Sequence, residues 1–174
     1  MNIYNFEIKL VKDIGYLFNG CNKLKSLDLS SFNTTSVTGI NDMFNDCFSL
    51  TSLNLSHFDT SKIVNFAQTF YNCHSLEILD VSNFDTSKAQ NFGNMLFGCH
   101  SLKSLNLSSF DSSHVLYIDN MFNGCNSLEI LDISSFITTT ALVSQNMFKD
   151  CYKLKSLDLS NFDTSKVTDM NNIF

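Results

Sequence analysis

The chain has 174 residues, enough for one ordinary domain with a sizeable core. Seventeen acidic residues against eleven basic ones give a net charge of −6; every base is lysine, and arginine, proline and tryptophan are absent. An acidic chain without the guanidinium fork is unsuited to gripping nucleic-acid phosphates. No run of about 18 apolar residues exists, so no membrane insertion is expected.

At the N-terminus, Glu7, Lys9, Lys12 and Asp13 interrupt the apolar stretch that a signal peptide requires. The sequence as given therefore carries no export signal, which fits either an intracellular protein or a segment of a longer exported one. From Cys21 onward the chain declares a period. Cysteine recurs at Cys21, Cys47, Cys73, Cys99, Cys125 and Cys151, each 26 residues after the last. A fixed period of this length marks a stacked array in which each unit buries its apolar face only against its neighbours. The array reads as a partial repeat 1–20, full repeats 21–46, 47–72, 73–98, 99–124 and 125–150, and a last partial repeat 151–174. Ile3, Phe6, Val11, Ile14 and Phe18 already fall on its columns.

Within each unit the cysteine is followed by a leucine column (Leu24 to Leu154). A Leu-x-Leu pair comes next, as at Leu27 and Leu29 or Leu105 and Leu107, and then an invariant phenylalanine column (Phe32, Phe58, Phe84, Phe110, Phe136, Phe162). Alternation at period two predicts a short strand with one buried face. Beyond it the period changes: Val37, Ile40, Phe44 and Cys47 are spaced 3, 4 and 3, which predicts one stripe of a short helix. The Asp/Ser/Thr cluster before it (Asp163, Thr164 and Ser165 in the last unit) supplies N-cap oxygens. Glycine, asparagine or aspartate before each cysteine supplies the left-handed closing residue. The fold class predicted is α/β: a right-handed leucine-rich-repeat-like solenoid with one parallel sheet of about seven short strands on one face and short helices on the other. Phenylalanine stands where the common leucine-rich pattern has its buried asparagine, so the turn amides need other acceptors, for which Ser30, Ser56, Ser82, Ser108, Ser134 and Ser160 are the candidates. The cysteines belong to the apolar periodicity and read as small buried hydrophobes rather than a disulfide or zinc framework. Neither end carries a polar capping repeat, which reads as a segment of a longer array or, alternatively, as a unit that self-associates through the solenoid ends.

The run LKSLDLSNFDTSKVTDMNNIF, with Met121, Phe122, Gly124 and Cys125 as its MF-x-G-C element, resembles the repeat of the BspA-like leucine-rich-repeat surface proteins. That resemblance covers essentially the whole chain. It implies a non-enzymatic binding or adhesion role at the cell surface or outside the cell, with a protein or glycan partner, no cofactor, and no catalytic residues to carry over.

The outward strand column holds Asp28, Asn54, Asp80, Asn106, Asp132 and Asp158. It reads as a solvated polar face that is also a candidate partner-contact surface; a cation-binding row is the weaker alternative, since a flat sheet offers calcium few converging oxygens. Lys25, Thr51, Glu77, Lys103, Glu129 and Lys155 form a second column that reads as ion-pair register control. His74 and His100 are neighbours in a third, too few for a metal site. No column sets a base beside a nucleophile. The departures from the repeat say more. Ile78 and Ile130 replace serine on the strand face, and Leu116, Tyr117, Ile137, Leu142 and Val143 replace polar residues around the predicted helices. They mark an exposed contact patch or, because Ser144 occupies the Ile40 column, a helix rotated about its axis.

Overall fold

A computed structural model describes residue 3 and residues 6–174; Met1, Asn2, Tyr4 and Asn5 of the first partial repeat lie outside the described residues. Each 26-residue repeat forms one rung of a stack, and the register is set by the period. Parallel bridges run Asp13 to Gly39, Asn65, Asn91, Tyr117, Val143 and Asp169, always between equivalent positions of successive rungs. On another side of the rung, β1 (Ser52–Leu53) pairs in parallel with β2 (Ile78–Leu79), and β3 (Ser104–Asn106) with β4 (Ile130–Asp132), giving two two-stranded sheets.

Two expectations are corrected here. About seven strands were predicted and four are found among the described residues, because the extended stretch is closed almost at once by a side chain. The Asp or Asn of the outward column accepts the amide two residues on, for example Asp80 Oδ1 from Ser82 N at 3.0 Å and Asn106 Oδ1 from Ser108 N at 2.9 Å. This Asx turn diverts the backbone after two or three paired residues.

The second correction concerns the helices, none of which exists among the described residues. From Phe92 to Cys99 the amides alternate in destination. Phe92, Asn94, Leu96 and Gly98 donate to the carbonyls of Tyr117, Asp119, Met121 and Asn123 in the next rung, at 2.8–3.0 Å. Met95, Phe97 and Cys99 donate three residues back to Phe92, Asn94 and Leu96. A helix would direct every amide four residues back within its own segment. Here half of them hold the stack together instead.

The geometry needs a left-handed residue in alternate turns, at the third position of a type II turn. Asn94 (φ 56) and Gly98 (φ 71) supply it in this rung, Asp42 and Asp46 in an earlier one, and Asn120 and Gly124 in the next. Tandem turns bring every third or fourth side chain to the same side, so Ile40, Phe44 and Cys47 are buried as the spacing of 3 and 4 demanded, on a backbone that is not helical.

The interior is a set of side-chain ladders. Phe18, Phe44 and Phe70 stack at centroid distances of 5.7 and 5.8 Å, and Phe122, Phe148 and Phe174 at 5.7 Å, with Leu96 taking the slot between the two runs. Such offset aromatic contacts add about 0.5–1.5 kcal/mol each beyond area burial. All six cysteines are free thiols. Each from Cys47 to Cys151 donates its S–H to the carbonyl 29 residues earlier, Cys99 to Phe70 at 3.2 Å for example. Burial pushes the Cys47 thiol up to about 12 and Cys151 to about 11, and raises Cys73, Cys99 and Cys125 well above the ordinary thiol range. Thiolate is the reactive form, so this row is chemically quiet.

Threonine, unremarked in the sequence beyond its place in the supposed cap, replaces the missing asparagine ladder. Thr60 Oγ1 accepts Asp85 N at 2.8 Å and donates to Asp85 O at 3.0 Å; Thr86 treats Asp111 identically, and Thr34 and Ser112 do the same for Asp59 and Ile137. These hydroxyls are buried, and each answers both polar groups of one peptide position in the next rung from inside the stack. The serine column assigned this task has the opposite role: Ser56 and Ser82 donate both amide and hydroxyl to Asn54 and Asp80.

Candidate functional site

The strand face carries Asp28, Asn54, Asp80, Asn106, Asp132 and Asp158 in one outward row, and each closes an Asx turn onto Ser30, Ser56, Ser82, Ser108, Ser134 or Ser160 at 2.9–3.1 Å. The serine hydroxyl and amide together hold Asp80 and Asp132 below the usual carboxylate range, and the amide with the hydroxyl does so for Asp158. One oxygen of each side chain is thus committed to its own turn. No group of three or more His, Cys, Asp or Glu able to hold a metal ion occurs among the described residues.

Beside it, Lys103 pairs with Glu77 at 3.2 Å and Lys155 with Glu129, both pairs well exposed. Exposed pairs contribute only about 0.2–1 kcal/mol each. Ile78 and Ile130, 71% and 65% exposed, project from β2 and β4, each beside a rung that carries serine at that position, Ser52 for Ile78 and Ser104 for Ile130. On another edge, His74 stacks between Phe48 and His100 at 4.8 and 4.6 Å, and His100 Nδ1 contacts the Gly124 carbonyl at 2.8 Å. Burial, then the neighbouring His100, lowers the His74 pKa.

The third surface holds the remaining departures. Leu142 N donates to Leu116 O at 2.9 Å and Tyr117 bridges Val143, so these four residues occupy two adjacent rungs. Tyr117 and Leu142 are 42% and 38% exposed, and Leu116 and Val143 are half-buried. The rotated-helix alternative does not hold. Val115, Ile118, Ala141 and Ser144 keep the buried positions, with the same cross-rung bonds as in other repeats.

What these substitutions remove is specific. In the Tyr117 column, Asp13, Asn65, Asn91 and Asp169 each close an Asx turn through Oδ1 at 2.8–3.0 Å. Tyrosine and valine have no such acceptor. Ile137, 45% exposed, stands where Asp59, Asp85, Asp111 and Asp163 close the corresponding turn at 2.8–3.0 Å. Three turns in neighbouring rungs have therefore exchanged a hydrogen bond for exposed apolar surface. Val64, 38% exposed in the Leu116 column, is a lesser member of the set that the sequence did not single out.

The model of a family of Mycoplasma proteins of unknown function, DUF285, matches residues 1–104 and 75–174, which together cover the chain. The chain belongs to this BspA-like leucine-rich-repeat family. Two solved family-like folds are similar to it. A leucine-rich-repeat protein from Bacteroides ovatus matches with TM-score 0.55 and 22% identity, over 83% of this chain and 34% of that one. One from Eubacterium ventriosum matches with TM-score 0.56 and 21% identity, over 95% and 40%. The BspA-like chain thus spans about a third to two fifths of these structures. No curated protein matches it. At this identity the likeness concerns the fold: a leucine-rich-repeat module in which tandem turns occupy the place of the predicted helices. No helix among the described residues is long and apolar enough to cross a membrane.

Proposed function

We propose that this BspA-like chain is a non-catalytic binding module of a surface protein, one continuous array over residues 1–174, and that Leu116, Tyr117, Ile137, Leu142 and Val143 form its contact surface for a protein partner. The observation that carries this reading is the loss of three Asx turns, at Tyr117, Ile137 and Val143, where most of the array keeps them; Gly39 in the Tyr117 column also lacks the turn, but it is buried and adds no apolar side chain to the surface. Each lost bond forgoes about 0.5–1.5 kcal/mol, and each replacement exposes apolar area that the fold does not use. Aliphatic and aromatic side chains with few hydrogen-bonding groups suit a protein surface better than a glycan, whose hydroxyls would be left unanswered.

Restoring the repeat separates folding from binding. The triple variant Tyr117→Asn, Ile137→Asp, Val143→Asn is expected to melt at or above the wild-type temperature, each change contributing up to about 0.5–1.5 kcal/mol. A partner retained by the immobilised wild type should be lost by this variant. A lower melting temperature would show the three residues to be core, and unchanged retention would place the contact elsewhere.

A further inference from the structure

The strand face has a property that the contact patch lacks: it is complementary to itself. From the rung of β1 to that of β4, the column of Ser52, Ile78, Ser104 and Ile130 alternates small and large, and Asn54, Asp80, Asn106 and Asp132 alternate neutral and charged. Glu77, Lys103 and Glu129 alternate in sign beside them.

Consider a second copy laid face to face, related by a twofold axis along the strands midway between β2 and β3. Each column then meets itself reversed. Ile78 faces Ser104 of the other copy, and Ser52 faces Ile130. Asp80 faces Asn106, and Asn54 faces Asp132. Glu77 faces Lys103, which with the existing 3.2 Å Lys103–Glu77 pair in each copy closes a ring of four alternating charges. An axis one rung further along would set Asp80 against Asp158 and overlap fewer rungs.

The structure also holds the notch that this arrangement fills. Strand pairing is interrupted between β2 and β3. At that interruption lies a groove of about 340 Å³ lined by Glu77, Ile78, Asp80, Ser104 and Asn106 among others. Ile78 of the second copy would sit over Ser104 there, where the side chain is smallest.

We propose that this strand face is the interface of an isologous dimer of the module, with the twofold axis between β2 and β3. Six rungs about 4.8 Å apart, four to five residues wide, bury roughly 400 Å² on each copy. That is about half of a standard interface, which makes the dimer a weak one in solution, with Kd of roughly 0.1 mM or above, strengthened where copies are concentrated on one surface. At the outermost rungs Lys25 meets Lys155 and Asp28 meets Asp158, at exposed positions where salt screens the repulsion.

The dimer uses a face other than the contact patch, so the two readings fail independently. Sedimentation velocity to about 1 mM chain should show a monomer–dimer equilibrium. Ser104→Ile, which sets isoleucine against isoleucine, and Lys103→Glu, which sets glutamate against glutamate, should each weaken it about tenfold or more. The double variants Ile78→Ser with Ser104→Ile and Glu77→Lys with Lys103→Glu recreate the complementary order and should recover dimerisation. Melting temperatures within a few degrees of wild type establish that each variant is folded. A wild type that stays monomeric throughout overturns the proposal, as does a dimer indifferent to Ser104→Ile or not recovered in the double variants.

Discussion

Replacing Thr86 by valine should destabilise the protein by about 2–4 kcal/mol, although the two side chains have nearly the same shape. Thr86 Oγ1 is the acceptor for Asp111 N at 2.8 Å and the donor to Asp111 O at 3.0 Å, within a buried ladder. Valine fills the space and answers neither group, so the Asp111 N–H and C=O that face the buried ladder lose their partner. Urea denaturation measures the loss directly. Thr139→Val, on the exposed residue beside the buried Thr138, should stay within about 0.5 kcal/mol of wild type. Equal losses at the two positions would mean that the threonine ladder does not carry the turn.

The second large effect is expected at Phe44. Its ring is buried and stacked on both sides, against Phe18 at 5.7 Å and Phe70 at 5.8 Å. Phe44→Ala removes that volume between two rungs that cannot close the gap without shortening their own cross-rung hydrogen bonds, so a loss of about 3–5 kcal/mol follows. Phe44→Leu should lose less, because Leu96 occupies the same slot between Phe70 and Phe122 in the native stack. A stacked array is held rung to rung, so a cavity of this size also threatens its cooperativity. A lower urea m-value in the alanine variant than in the leucine variant would report that uncoupling.

Much of this architecture was legible because burial follows spacing. The leucine, phenylalanine and cysteine columns fell inside as their period required, the thiols stayed unpaired, and Ile78, Ile130, Tyr117, Ile137 and Leu142 stayed outside. The helical spacing misleads for a physical reason. A stripe at 3, 4 and 3 fixes which side chains are inside but not which carbonyl each amide reaches, and tandem turns satisfy the stripe as well as a helix does. Asn94, Asn120 and Asn146, all at positive φ, held the available signal, since asparagine accepts the left-handed region that a helix interior excludes. The Asp-x-Ser and Asn-x-Ser spacing of the outward row was likewise an Asx-turn signature in plain view. The spacing alone does not separate the two roles, because a side chain that bonds its own backbone looks, in a sequence, like one that faces water. The contact patch was visible as a break in the pattern, but its cost to the fold could be assigned only once the neighbouring turns were seen to close through Asn65, Asn91 and Asp111.

The central claim is that the segment with helical spacing spends alternate amides on the next rung. Scalar couplings across hydrogen bonds, measured by NMR on the labelled chain, test it most directly. The structure predicts couplings from the amides of Asn94, Leu96 and Gly98 to the carbonyls of Asp119, Met121 and Asn123. Couplings from those amides to carbonyls four residues earlier in the same rung would contradict it.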